Sequence, residues 1–455
     1  MNEMKQLEDM CAAVPPPGPQ RLAGARARVL TAIAEGRAPA GRGGREHGAP
    51  PKPGRRWPRW VAPLAAAAAV TAAIAVAAAV PGAIRGFGSA GHRPAASTAY
   101  TVYVEIVGPP AGQDGLVPIS TATSTPGKPI RIRGMSGVAI TPDGKTIYAG
   151  TGDTAIPIST ATNTPGKPIR FRGRVSTIAV NPDGKTAYVQ VDPRRHGPAP
   201  VLVPVSTATN TPGKPIRVGI EGGVIAFTPD GQTAYAGGSG TVTPINTATN
   251  TPGKPIRVGM EPVEIAVTPD AKTAYAVGFQ GVIATVVPVS TATNTRGKPI
   301  HLPTAAGCTC SIAITPDGKT AYVTGGPPGD EVTSINTATN TPGKPIRVVF
   351  PDAASDEIAI TPDGKTAYVA SYGGGPDSVV PISTATNTPG KPIRIGSGAT
   401  IAITPDGKTL YAATSNKVVP VSTATNTPGK PIPLRGPING IGILISGRPA
   451  TCSNC

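Results

Sequence analysis

Few side chains in this 455-residue chain belong to the types that carry covalent or metal chemistry, and those few are scattered. The four histidines, His47, His92, His196 and His301, show no zinc-binding spacing with one another or with cysteine. No serine elbow of the Gly-x-Ser-x-Gly kind occurs, so no catalytic residue is assigned. Cys308, Cys310, Cys452 and Cys455 make an even set late in the chain, with Cys11 far from them. In an oxidising compartment the local pair Cys452 and Cys455 is the candidate disulfide. What remains is charge recognition. A basic group comprises Arg133, Arg172, Arg174, Arg194, Arg195 and His196; an acidic group comprises Glu221, Glu261, Glu264, Asp352, Asp356 and Glu357. Arginine and carboxylate side chains in separate groups can hold a charged ligand through directed hydrogen bonds.

The elements that must position these groups repeat along the chain. Thr-Ala-Thr-x-Thr-Pro-Gly-Lys-Pro-Ile begins at Thr121, Thr160, Thr207, Thr247, Thr291, Thr337, Thr384 and Thr423, with Arg296 replacing proline in the fifth copy. Pro-Asp-Gly-Lys-Thr-x-Tyr recurs with its aspartate at Asp143, Asp183, Asp230, Asp270, Asp317, Asp363 and Asp406. A period in the forties suits a propeller blade or a helical solenoid, but Pro and Gly break each unit about every ten residues and exclude paired helices. Four short strands fit one unit, with Asp-Gly turning the first hairpin. Ile441–Arg448 aligns on Ile-Ala-Ile-Thr-Pro-Asp-Gly-Lys as an inner strand without a hairpin partner, and Val102–Val104 aligns as a second strand without an inner one. The C-terminal strand is therefore expected to complete the first blade. The expected fold is all-β: an eight-bladed β-propeller of four-stranded blades over residues 99–448, closed without a free edge. Seven blades is the alternative.

Ile-Ala-Ile-Thr-Pro-Asp-Gly-Lys-Thr-Ala-Tyr-Val (312–323), with the Pro-Ile-Ser-Thr-Ala-Thr-Asn-Thr string, resembles the YVTN-type β-propeller repeat of YncE-like secreted proteins and archaeal surface-layer proteins. The resemblance covers about three-quarters of the chain and implies a seven- or eight-bladed cell-surface propeller used for binding. It does not name a ligand. Some eight-bladed propellers hold a quinone through blade tryptophans; the two tryptophans here, Trp57 and Trp60, precede the repeats, and no cofactor is expected.

Residues 1–98 stand apart. Residues 1–56 read as a cytoplasmic head, with one helix over Pro19–Glu35 and a Gly/Pro/Arg-rich linker. Residues 57–82 read as a transmembrane helix around the Ala-rich, uncharged run from Val61 to Val80. Trp57 and Trp60 mark its border, and Lys52, Arg55, Arg56 and Arg59 before it place the N-terminus inside and the propeller outside. A cleaved twin-arginine signal is the alternative, which would leave a secreted propeller. Residues 83–98 are linker and 449–455 a Cys-containing tail. The head is similar to actinobacterial single-pass proteins of the anti-sigma-like kind.

Residues 1–95 and the propeller divide the net charge of +17 about equally. With the repeats exported and aromatic residues only 4 %, nucleic acid is not an expected partner. The first-to-second and third-to-fourth strand turns keep their sequence from copy to copy and share one face. The opposite loops vary and carry the basic and acidic groups named above, which makes that face the candidate binding face. The constant face carries the lysines of the hairpin and Gly-Lys-Pro turns, and is expected to point toward the membrane and to rest on anionic lipid or wall polymer. The expected role is that of an extracytoplasmic binding or scaffolding module, a non-enzyme, for a protein or cell-envelope ligand. A transmembrane signalling protein with a propeller sensor is the first alternative and a lactonase-like hydrolase the second.

Overall fold

A computed structural model describes residues 100–106, 114–193, 199–218, 224–280, 283–305, 311–325, 331–348, 353–373, 378–396, 400–434 and 443–447. They form eight antiparallel sheets. Each first strand touches the first strand of the next sheet, and the last of them closes on the first, so the sheets are blades around an axis. Blade 2 shows the pattern: Met135–Ile140 innermost, then Thr146–Thr151 and Thr154–Ser159, with the outermost strand split into Thr164–Pro165 and Ile169–Arg170. The expected transmembrane segment, head helix and cysteine tail lie outside the described residues. Among those described, no helix is long and apolar enough to cross a membrane.

Blade 1 closes the ring as the unpaired terminal strands required. Ile443–Gly447 pairs antiparallel with Tyr100–Ile106, and Leu444 lies opposite Tyr103. In blade 2 the corresponding residue, opposite Tyr148, is Ala139. The sequence alignment put Gly442 at that position, so its register is corrected by two residues. No Pro-Asp-Gly turn follows this strand to fix its register, and a shift of two keeps the same residues on the same face.

The core lies between the blades. Each apolar cluster joins one blade to its neighbour, as Tyr103, Leu116 and Ile130 of blade 1 do with Met135, Val138 and Ile147 of blade 2. The second-strand tyrosines are completely buried in seven blades, and burying so large a ring contributes much of each interface. Their hydroxyls are satisfied across the junction. Tyr103, Tyr148, Tyr188, Tyr235, Tyr275, Tyr322 and Tyr368 each donate to the side-chain oxygen of an asparagine in the next blade: Asn163, Asn210, Asn250, Asn294, Asn340, Asn387 and Asn426. Those asparagines have positive φ, near 55°, which Asn tolerates better than most residues. The junction from blade 8 to blade 1 differs: Ser124 occupies the asparagine position, also with positive φ, and Tyr411 makes no such bond.

The split outer strand explains the prolines. Third-strand Pro118 faces Tyr103 on one side. On its other side the outer strand is interrupted at Gly127-Lys128-Pro129, and Gly127 N–H donates to the Pro118 carbonyl at 2.7 Å. A Cβ at Gly127 would sit 3.1 Å from the Pro118 ring, so glycine is needed where the chain crosses it. The turn into the outer strand is thus Thr121–Ser124, and Thr125–Pro126 already pairs with Ile119 and Ser120.

Candidate functional site

The constant face is built from self-satisfying turns. In the hairpin of blade 5, Thr268 Oγ1 and Lys272 N both donate to Asp270 Oδ1, and the Lys272 ammonium lies 3.6 Å from the second oxygen. The Thr268 hydrogen bond, aided by Lys272 and opposed by partial desolvation, holds Asp270 below the usual carboxylate range. Asp317 and Asp363 repeat the arrangement and its consequence. A threonine from the third-to-fourth turn locks this hairpin, as when Thr160 Oγ1 donates to the Gly144 carbonyl at 2.6 Å. The aspartates here are therefore committed to their own turns, while the lysine ammonium groups stay largely exposed.

The variable face divides by sector. Arg133 lies between blades 1 and 2, and Arg172 and Arg174 between blades 2 and 3; all three are exposed. Arg174 begins the inner strand Arg174–Val180, opposite Asp192. The acidic residues that can be placed belong to blades 5 and 7. Glu261 is exposed, but its carboxylate accepts from Ser239 N at 2.9 Å and Gly240 N at 3.2 Å, tying down a hairpin of blade 4. Asp356 lies within the inner strand Ala353–Ile360. Arg194, Arg195, His196, Glu221, Asp352, Cys452 and Cys455 lie outside the described residues.

Glu264 and Glu357 are not displayed on the surface as the loop reading implied. They occupy the same position of the repeat in blades 5 and 7. Glu264 is 1 % exposed, and its Oε2 accepts from Ile312 N of blade 6 at 3.0 Å. Glu357 is half-buried and accepts from Ile401 N of blade 8 at 2.9 Å. Each carboxylate therefore bonds a backbone amide on the inner strand of the following blade. Burial pushes Glu264 up to about 8, against the lowering effect of the Ile312 and Ser311 hydrogen bonds; the charge of Glu357 raises it further. The two groups are thus electrostatic neighbours.

Glu105 is a further acidic site the loop reading missed. It sits on the second strand of blade 1, and burial, then the nearby Asp114, push it up to about 7. Two residues after the second-strand tyrosine, the other repeats place Gly150, Gln190, Gly237, Val277, Thr324, Ala370 and Ala413. Reading that column across the copies would have exposed Glu105. The Glu264 column, otherwise Gly137, Thr177, Val224, Ser311 and Thr400 apart from Glu357, gives the same signal.

A groove of about 960 Å³ lies between blades 2 and 3 on the constant side, walled by Lys145, Lys167, Arg170, Pro157, Asn210 and Pro212 among others. The cavity thus falls on the face whose sequence does not vary.

No known family profile matches the chain, and no curated protein matches it. Two of the solved structures it resembles are enzymes by title. Kuenenia stuttgartiensis hydrazine synthase is 21 % identical with a TM-score of 0.50, covering 64 % of this chain and 96 % of that one. Dihydro-heme d1 dehydrogenase NirN, solved in complex with DHE, is 15 % identical with a TM-score of 0.60, covering 77 % of this chain and 76 % of that one. These likenesses establish the propeller fold. They also overturn the expectation of a non-enzyme: propellers of this shape serve proteins named as a synthase and a dehydrogenase, and the fold assigns no specific activity here.

Proposed function

We propose that this protein is a membrane-tethered, extracytoplasmic propeller of the YVTN type whose variable face binds a charged ligand. The observation that supports this reading is the gathering of exposed arginines on one sector of that face. Arg133, Arg172 and Arg174 lie exposed at blades 1 to 3, whereas of the acidic residues Glu264 is buried, Glu357 half-buried and Glu261 tied to a neighbouring hairpin. A constant scaffold with one arginine-bearing sector orients a ligand that carries an anionic group toward it. Membrane tethering rests on the uncharged run from Val61 to Val80 and its basic flank.

The test uses the full-length chain in non-ionic detergent, with cell envelopes isolated from the source organism and stripped of the chain itself. Wild type is expected to co-sediment with the envelopes. The triple charge reversal R133E/R172E/R174E should reduce retention at least tenfold while leaving the circular dichroism spectrum unchanged. Retention unaffected by that variant overturns the reading.

A further inference from the structure

Cations recur around the outer rim of the propeller with few carboxylates beside them. In the hairpins, four lysines face their own aspartates, as Lys145 does Asp143 at 3.2 Å and Lys319 does Asp317 at 3.6 Å. On the rim, each outer strand presents a lysine in its Gly-Lys-Pro interruption and an arginine three residues later. Lys128 and Arg131 do so in blade 1, and Lys167 and Arg170 in blade 2. The isoleucine before each arginine is buried, as Ile130 and Ile169 are, so strand alternation turns the arginine outward. Blades 3, 4, 6 and 7 repeat the pair; blade 5 has His301 instead of arginine, and blade 8 has Pro433. Among the described residues, the rim arginines show one ion pair, Arg347 with Glu331 at 3.9 Å.

Protection of a sheet edge does not account for these cations. One or more prolines in each outer strand already remove donors from that edge, and the strand itself is interrupted. The groove between blades 2 and 3 is lined by Lys167 and Arg170 of this rim together with Asp143 and Lys145 of the hairpin, threonine hydroxyls and proline rings. Three strand spacings and an axial opening put the rim at a radius of about 22 Å, which spaces successive blades by about 17 Å along it. A fixed interval between equivalent cationic stations matches an extended chain that carries anionic groups along its length.

We propose that the outer rim binds a linear phosphate-bearing polyanion, which follows the ring from blade to blade through the Lys and Arg stations. This surface is separate from the variable face and does not depend on the function proposed for it. Multivalency is the signature: a chain that spans several stations binds far more tightly than one that reaches a single station.

The test titrates the full-length chain in non-ionic detergent with inorganic tripolyphosphate and with size-fractionated polyphosphates long enough to reach two and four stations, over a salt series. Affinity is expected to rise at least a hundredfold from tripolyphosphate to the longest chain and to fall linearly in log–log form with salt. Neutralising the rim pairs of two blades (K128Q/R131Q with K167Q/R170Q) should cut that gain at least tenfold. A hairpin variant that loses the same four charges, K185Q/K272Q/K319Q/K365Q, should retain it. Equal losses from rim and hairpin variants would mark attraction by net charge alone and overturn the proposal. So would equal affinity per phosphate at every length, or rim-dependent binding to phosphatidylglycerol vesicles without binding to polyphosphate.

Discussion

Replacing Glu264 with glutamine probes the inter-blade carboxylate directly. In the native protein this group, facing Ile312 N, Ser311 and the charge of Glu357, keeps its proton up to about pH 8, against an ordinary value of 4.5. The unfolded chain releases the proton at the lower pH, so unfolding sheds a proton throughout the interval. Stability therefore falls as pH rises between those values, by up to about 1.4 kcal/mol per pH unit and at most about 5 kcal/mol in total. Glutamine retains an oxygen to accept from Ile312 N but cannot ionise. The variant should match wild type near pH 5 and exceed it by a few kcal/mol at pH 9, on the order of the integrated shift. Urea unfolding at pH 5, 7 and 9 measures this through the near-ultraviolet dichroism of the buried tyrosines, since both tryptophans lie outside the ring. A residual slope should persist from Glu105, whose folded value is about 7. If wild type and E264Q lose stability in parallel from pH 5 to 9, the carboxylate is ionised in the native ring and the account of its burial is wrong.

Three substitutions probe the repeat scaffold. S124N places an asparagine where seven other junctions have one, and the new bond from Tyr411 should raise stability by about 1 kcal/mol in urea unfolding. Y322F removes a donor that lies 2.6 Å from Asn387 Oδ1 and should cost about 1–2 kcal/mol in the same assay, leaving the ring closed by dichroism. A271G relieves an alanine held at φ 58, in a turn where six other copies have glycine at positive φ, and should stabilise by about 1 kcal/mol; an unchanged unfolding midpoint would show that the turn relaxes.

The repeat made the architecture readable because its turns announce themselves. Asp-Gly steps mark six blades and Thr-Ala-Thr turns all eight, and the orphan strands at the two ends require closure. Register was legible only where a turn sets it, so Ile443–Gly447, with none after it, was misplaced by two residues. The latch asparagines looked like turn residues because their partner tyrosines lie about 60 residues away and in a different blade, a distance that no local pattern expresses. Glu264 read as a loop carboxylate because it borders a variable segment. Only its bond to Ile312, 48 residues on, shows that it belongs to the junction. Arg172 is exposed after the outer strand of blade 2, whereas Arg174, read as a loop residue, already belongs to the inner strand of blade 3.

Closure by the last strand also sets a clock. Tyr103 cannot meet Leu444 until about 340 further residues have been made, which at roughly 5–20 residues per second takes on the order of 20–70 s. For that interval blade 1 holds an unpaired apolar edge along Val102–Val104, a template for strand addition by any neighbouring chain. Blades 2 to 8 can form in order as they emerge, each packing on the one before. The first blade is begun first and finished last, so the hazard of misassembly is concentrated at the same junction that lacks the tyrosine–asparagine bond.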